Sequence, residues 1–128
     1  MADQGLIAFL YTPMFMRVFV ILPAAGLGTR MAAGHHAPSA PKQFLELAGV
    51  PILIHSLRAF AQVPQVSGMY VAVRANERER LEAQVAEHGF SDKVRIVTGG
   101  DSRQESVANA LNALDCDADD IVLVHDAV

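Results

Sequence analysis

The sequence predicts an α/β protein built on a Rossmann-like parallel sheet with helices on both faces. Three observations predict it. Apolar runs alternate with helix-patterned stretches from Val18 to the end of the chain. The first run, Val18–Leu22, is uninterrupted, as in a strand covered on both faces. It feeds directly into "LPAAGLGTRM", Leu22–Met31, a glycine-rich loop at the end of a strand where such sheets hold their ligands.

The elements follow in order. Val18–Leu22, bounded by Pro23 and glycines, is the first strand. Met31–Pro41, with two histidines and two prolines, is a loop. "VPILIHSLRAFAQV" is a helix with Pro51 in its first turn and Leu53, Leu57 and Phe60 on one face. "GMYVAVR" is the second strand. "NERERLEAQVAEHG" is a helix with Asn76 as its N-cap, Glu79 three residues on and Gly89 as its stop. "KVRIVTG" is the third strand. "SRQESVANALNAL" is a helix with Ser102 and Glu105 as a capping box and Val107, Ala110, Leu111 and Leu114 along its inner face. "DDIVLVHDAV" closes the chain as a fourth apolar strand, expected to be exposed at an edge and prone to aggregation.

The segment ahead of Val18 needs its own reading. "GLIAFLYTPMFMRVFVIL" is apolar enough to suggest a leader or a membrane span, but no basic segment precedes it, and Pro13 and Arg17 interrupt it. Residues 1–16 are therefore read as a flexible extension or tag, with Met14 and Met16 as candidate starts. Residues 17–128 form one domain.

Composition excludes several classes. The chain has 128 residues, 52% hydrophobic and 19% charged, which suits one folded domain. A formal net charge of −4 with scattered arginines argues against nucleic acid and anionic membrane as partners. A single cysteine, Cys116, excludes an internal disulfide and fits a reducing, cytoplasmic compartment. Its acidic neighbours in "LDCDADD" disfavour a reactive thiolate.

In a sheet of this kind the chemistry lies at the carboxyl ends of the strands: Pro23–Arg30, Arg74, Gly99–Asp101 and His125–Val128. The glycine loop departs from a dinucleotide fingerprint. Gly26 and Gly28 are followed by Met31 in place of the third glycine, although Glu46 falls about where a ribose-binding acid would. It also lacks the lysine of a Walker loop. A tight turn alone would account for the two glycines but not for Arg30. Small residues and a permanent cation together suit a backbone cradle for a phosphorylated ligand. His35 and His36 have no third ligand beside them and are read as solvated. His125 is read as structural.

Four blocks, "PAAGLGTRM", "PKQFLELAGVPILIHSL", "GGDSRQESV" and "LVHDAV", occur in that order between Val18 and Val128. Together they resemble the cytidylyltransferases, above all the 2-C-methyl-D-erythritol 4-phosphate cytidylyltransferase family of the non-mevalonate isoprenoid pathway. Ribitol-5-phosphate cytidylyltransferases share much of the pattern, so the acceptor alcohol stays open between the two. The resemblance implies a nucleotide-diphospho-sugar transferase fold that runs nearly as long again, so this chain is expected to be its truncated, nucleotide-binding part. It implies CTP and a sugar-alcohol phosphate as substrates, Mg²⁺ as cofactor and a homodimer as the parent assembly. The 128-residue chain alone is expected to be inactive, and a fragment that binds CTP without turnover is the alternative.

The resemblance also assigns residues. Arg30 and Lys42 would be the catalytic cations; Lys42 and Lys93 are the chain's two lysines, and Lys42 falls inside a motif block. Pro23, Ala24, Ala25, Gly26 and Gly28 would hold the nucleotide. Gly100 and Asp101 would read the cytosine together with the backbone of Ala24 and Ala25, with Gly99 and Gly100 allowing close approach to the flat base. Ser106 and Ala127 would contact the nucleotide. Asp126, a lone carboxylate at a strand end, would hold Mg²⁺. Ser102 and Glu105 are read as capping residues only.

Overall fold

A computed structural model of the protein describes residues 16–26 and 45–126. Residues 1–15, Gly28, Arg30, His35, His36, Lys42 and Ala127 lie outside the described residues, and so do the roles expected of them.

The main sheet has four strands: β1 (Val18–Pro23), β4 (Val66–Val73), β5 (Val94–Thr98) and β6 (Ile121–Val124). All pair in parallel, in the order β5-β4-β1-β6. The helices are α1 (Ile52–Ala61), α2 (Arg78–Glu87) and α3 (Arg103–Ala113). Each of them joins two strands of this sheet, as parallel pairing requires. Among the described residues, no helix is long and apolar enough to cross a membrane.

Alternation along β1 explains why both faces are covered. Val20 and Leu22 face α1 and α2 and pack with Leu53, Ile54, Leu57, Leu81 and Val85. Phe19 and Ile21 point the other way, against Tyr70 and Ala110 of α3. All four of these β1 residues are buried, which is why the run shows no polar alternation.

Several local expectations are corrected. Pro51 is the N-cap of α1, outside its first turn, because it ends β3 (Val50–Pro51), which pairs antiparallel with β2 (Glu46–Leu47). Ala48 and Gly49 join the two strands with φ of 55° and 78°, the double positive φ of a type I′ turn. Glu46 is exposed in this hairpin. Asn76 lies inside a 3₁₀ turn, Ala75–Glu77, and caps nothing; the helix proper begins at Arg78. The expected stop does hold. Gly89 has φ 81°, its N–H donates to Ala86, and the Phe90 N–H donates to Val85, which makes a Schellman motif. On α3 the residues facing the sheet are Ser106 and Ala110, with Val107 and Leu114 half-buried, while Leu111 is exposed. Small side chains there let the helix approach the sheet closely, so the inner face is not the most apolar one.

β6 lies at the edge, and Ile121, Leu123 and Val124 are each at least 40% exposed, as expected of an edge strand. It is tied at its start by Arg17. That guanidinium donates to Asp120 Oδ2 at 2.8 Å, reaches Asp117 at 3.5 Å, and stands over the Phe19 ring at 5.1 Å.

Candidate functional site

The site forms where the carboxyl ends of β1, β4 and β5 come together. Pro23 ends β1 beside Ala72, and the Ala24 N–H continues the ladder to the Ala72 carbonyl at 2.7 Å. Gly99 does the same on the other side, donating to the Val73 carbonyl at 2.7 Å. The segments 24–26 and 99–101 therefore leave the sheet side by side.

Two adjoining clefts open between them. The larger, about 440 Å³, is lined by Ala25, Gly26, Arg74, Ala75, Thr98, Gly99, Gly100 and Asp101. The smaller, about 200 Å³, adds Pro23, Ser102, Arg103, Ser106 and Asp126. Of the described residues expected to form the site, all but Ala24 line one cleft or the other. Ala24 is buried and its N–H donates to the Ala72 carbonyl, so that N–H is not available to a base. A further groove, along β5 near Tyr70 and Arg95, shares none of these residues.

The loop after β5 is held rigidly. Thr98 is pinned from both faces: its Oγ1 accepts from Arg78 of α2 at 3.0 Å and its carbonyl from Asn109 of α3 at 3.2 Å. Ser106, 1% exposed, accepts the Gly100 N–H on its Oγ at 3.1 Å. Ser102 Oγ accepts the Glu105 N–H, the forward half of a capping box. The reciprocal half is displaced. Glu105 Oε2 accepts from Asp101, one residue ahead of the cap, at 2.8 Å.

These contacts correct the reason for the two glycines. A Cβ on Gly99 would lie 2.4 Å from the Ala25 Cβ and 2.8 Å from Ser106 Oγ. One on Gly100 would lie 2.3 Å from the Glu105 Cβ. Packing of the loop against β1 and the first turn of α3 demands both glycines, whether or not a base is present. Gly26 differs, because a Cβ there would meet nothing within 4 Å among the described residues. Its lack of a side chain answers to no protein neighbour described.

Asp126 is not the lone carboxylate the sequence suggested. Its Oδ1 accepts from Arg103 Nε at 2.8 Å, a pair 23 residues apart joining the end of β6 to the start of α3. Its second oxygen has no partner among the described residues. No group of three His, Cys, Asp or Glu side chains able to hold a metal occurs there. A cation at Asp126 would therefore need most of its oxygens from a ligand, a donor set that suits Mg²⁺ on a nucleotide's phosphates. His125 is structural: its ring meets Phe60 edge-on at 5.1 Å and its N–H donates to Ile21. Cys116 is exposed.

The class this geometry defines is a Rossmann-like α/β protein, a parallel sheet with its cleft at the strand ends. The crystal structure of the 4-diphosphocytidyl-2C-methyl-D-erythritol synthase from Anaerococcus prevotii is similar in fold, with a TM-score of 0.66 at 24% identity over 88% of this chain and 44% of that one. The inositol-1-phosphate CTP transferase from T. maritima gives 0.65 at 15% identity over 88% and 44%. The family model for 2-C-methyl-D-erythritol 4-phosphate cytidylyltransferase matches residues 18–128, and the chain belongs to that family. It is 75% identical over 113 residues to the enzyme of that name from Acidobacterium capsulatum and 50% identical over 115 residues to that from Solibacter usitatus. Each match covers 88% of this chain and 47% of the relative, so the chain spans about half the length of the curated relatives it matches.

Proposed function

We propose that this chain forms the CTP-binding part of a cytoplasmic enzyme that transfers CMP from CTP to 2-C-methyl-D-erythritol 4-phosphate. One observation carries the reading. Two blocks far apart in sequence, Pro23–Gly26 and Gly99–Ser106, meet around shared clefts at the strand ends. The names of the curated relatives support the acceptor.

In the reaction, an oxygen of the acceptor's phosphate attacks the α-phosphorus of CTP. The new P–O bond forms as the bond to the β-phosphate's bridging oxygen breaks, and pyrophosphate leaves. The nucleophile is already anionic, so no strong base is needed. The difficulty is holding two anions in line and stabilising charge on the equatorial oxygens. Arg30 and Lys42 supply the fixed cations for this role. Backbone groups of Ala25, Gly26 and Gly28 cradle phosphates, and Gly100 and Asp101 face the base. Ser106 acts through the Gly100 N–H it accepts, and Ala127 is the further nucleotide contact. Asp126 offers one carboxylate oxygen to Mg²⁺, which when bound would neutralise phosphate charge.

Calorimetry on the 128-residue chain with CTP, UTP, ATP and NADH, with and without Mg²⁺, tests the nucleotide. CTP should bind best and depend on Mg²⁺. Tighter binding of NADH would return the loop to a dinucleotide site. Pyrophosphate release by an enzyme of full family length carrying residues 18–128 tests the acceptor. Methylerythritol phosphate should support turnover and ribitol 5-phosphate should not.

A further inference from the structure

The β2–β3 hairpin stands apart from the main sheet, and little burial holds it. It has two registered pairs, Glu46 with Pro51 and Leu47 with Val50. Leu47 is 62% exposed, Leu45 is 39% exposed, and Glu46 is exposed as well. Its turn holds a non-glycine residue, Ala48, at a φ of 55°, a conformation that residues with a Cβ disfavour. Two-stranded hairpins are marginal in water on their own. Something outside the ladder must fix this one.

The fixing groups come from α1. Ile52, its first residue, donates its N–H to the Leu45 carbonyl at 2.8 Å. His55 places Nε2 2.8 Å from the Leu47 carbonyl oxygen. A carbonyl only accepts, so Nε2 carries the proton and donates. The two carbonyls are two residues apart on one segment, and the two donors are three apart on one helix, on neighbouring positions of its surface. Together they clamp the hairpin to α1. Any residue but proline could supply the main-chain half at position 52. The other half needs a side-chain donor with the reach of Nε2. His55 is half-buried, on a helix whose Leu53, Ile54 and Leu57 are locked into the core, so the donor has a rigid base.

The hairpin matters because of what precedes it. Leu45 is the third residue after Lys42 in "PKQFLELAGVPILIHSL". At most about 11 Å of chain separates their Cα atoms, whatever its conformation. We infer that His55 is a positioning residue for the transfer reaction: by holding the Leu47 carbonyl it fixes the hairpin that follows Lys42. This rests on the reading of Lys42 as a catalytic cation. The reaction needs its charges in place before the phosphorus is attacked. An unclamped hairpin would spread the lysine over more positions, and turnover would fall although the charge itself remains.

Steady-state kinetics on an enzyme of full family length carrying residues 18–128 tests it, with His55→Met and His55→Gln made singly and on a Lys42→Ala background. The two side chains are similar in length, suit a helix, and differ in the N–H donor. His55→Met should lower kcat by about tenfold, as a misplaced group does, with little change in the KM for CTP. His55→Gln should recover most of that loss. On the Lys42→Ala background His55→Met should cost little more, because residues that act as a unit are not additive. In the 128-residue chain, His55→Met should speed amide exchange at residues 45–50 and leave β1 and β4 as they were. An unchanged kcat in His55→Met, no recovery with glutamine, or a full further loss on the Lys42→Ala background would overturn the inference. A loss in Lys42→Ala with none in His55→Met would strike this inference alone. Normal turnover in Lys42→Ala would bring down the cation reading, and this inference with it.

Discussion

Ser106 Oγ accepts the Gly100 N–H at 3.1 Å from a side chain that is 1% exposed. The first turn of α3 thereby sets the height of the loop that walls both clefts. Ser106→Ala removes the acceptor without adding bulk. It should cost about 1 kcal/mol of stability, read from urea unfolding, and should weaken CTP binding through the displaced loop. Unchanged stability would mean that the loop is held elsewhere.

The glycines separate packing from ligand contact. Gly99→Ala puts a Cβ 2.4 Å from that of Ala25, and backbone must shift. A loss of about 1–3 kcal/mol is expected from overpacking. Gly26→Ala meets nothing within 4 Å among the described residues and should leave the unfolding midpoint where it is, while lowering CTP affinity. If Gly26→Ala bound CTP normally, the phosphates would not approach that backbone.

Lys42→Ala removes one of the two proposed cations. In an enzyme of full family length, turnover should fall by about 3 kcal/mol of transition-state stabilisation, on the order of a hundredfold. The melting temperature should hardly change. Normal turnover would make Lys42 an ordinary surface lysine.

Acid should loosen the amino end of the sheet. The hydrogen bond from Arg17 holds the Asp120 carboxyl below its ordinary range, helped by the Asp117 N–H. A lowered folded value means the stabilisation is complete above the unfolded value of about 3.9. It is lost as the pH falls from there through the folded value. Asp120→Asn should therefore be less stable at neutral pH and lose less on acidification. Parallel melting curves for the two proteins across that range would exclude the pair.

The strands of the main sheet were legible because each is an apolar run, with both faces covered in β1 and β4, and Gly89 announced its own stop. The order of the strands was not, since it depends on crossovers that no local window contains. The I′ hairpin escaped notice because Ala48, with φ 55°, stands where asparagine or aspartate would have signalled the turn. Leu111 misled because burial on α3 follows close approach to the sheet, which favours Ser106 and Ala110 over larger side chains. At the site, the strand-end blocks could be read from sequence. The Arg103–Asp126 pair could not, since it forms only when β6 and α3 come together. Arg74 carried a positional signal, the carboxyl end of a strand, but no motif.

Among the described residues β6 is joined to one neighbour in the sheet, β1, across four registered pairs, and an ion pair lies at each of its ends. Such a strand is the natural unit of partial opening. Its amides should exchange with solvent earlier than those of β4, and sooner still at high ionic strength, which weakens exposed pairs. Asp126 rides on that strand. A ligand that draws on Asp126 would bind only the closed form, so part of its binding energy would go into closing β6, and nucleotide would register as slowed exchange along the whole strand.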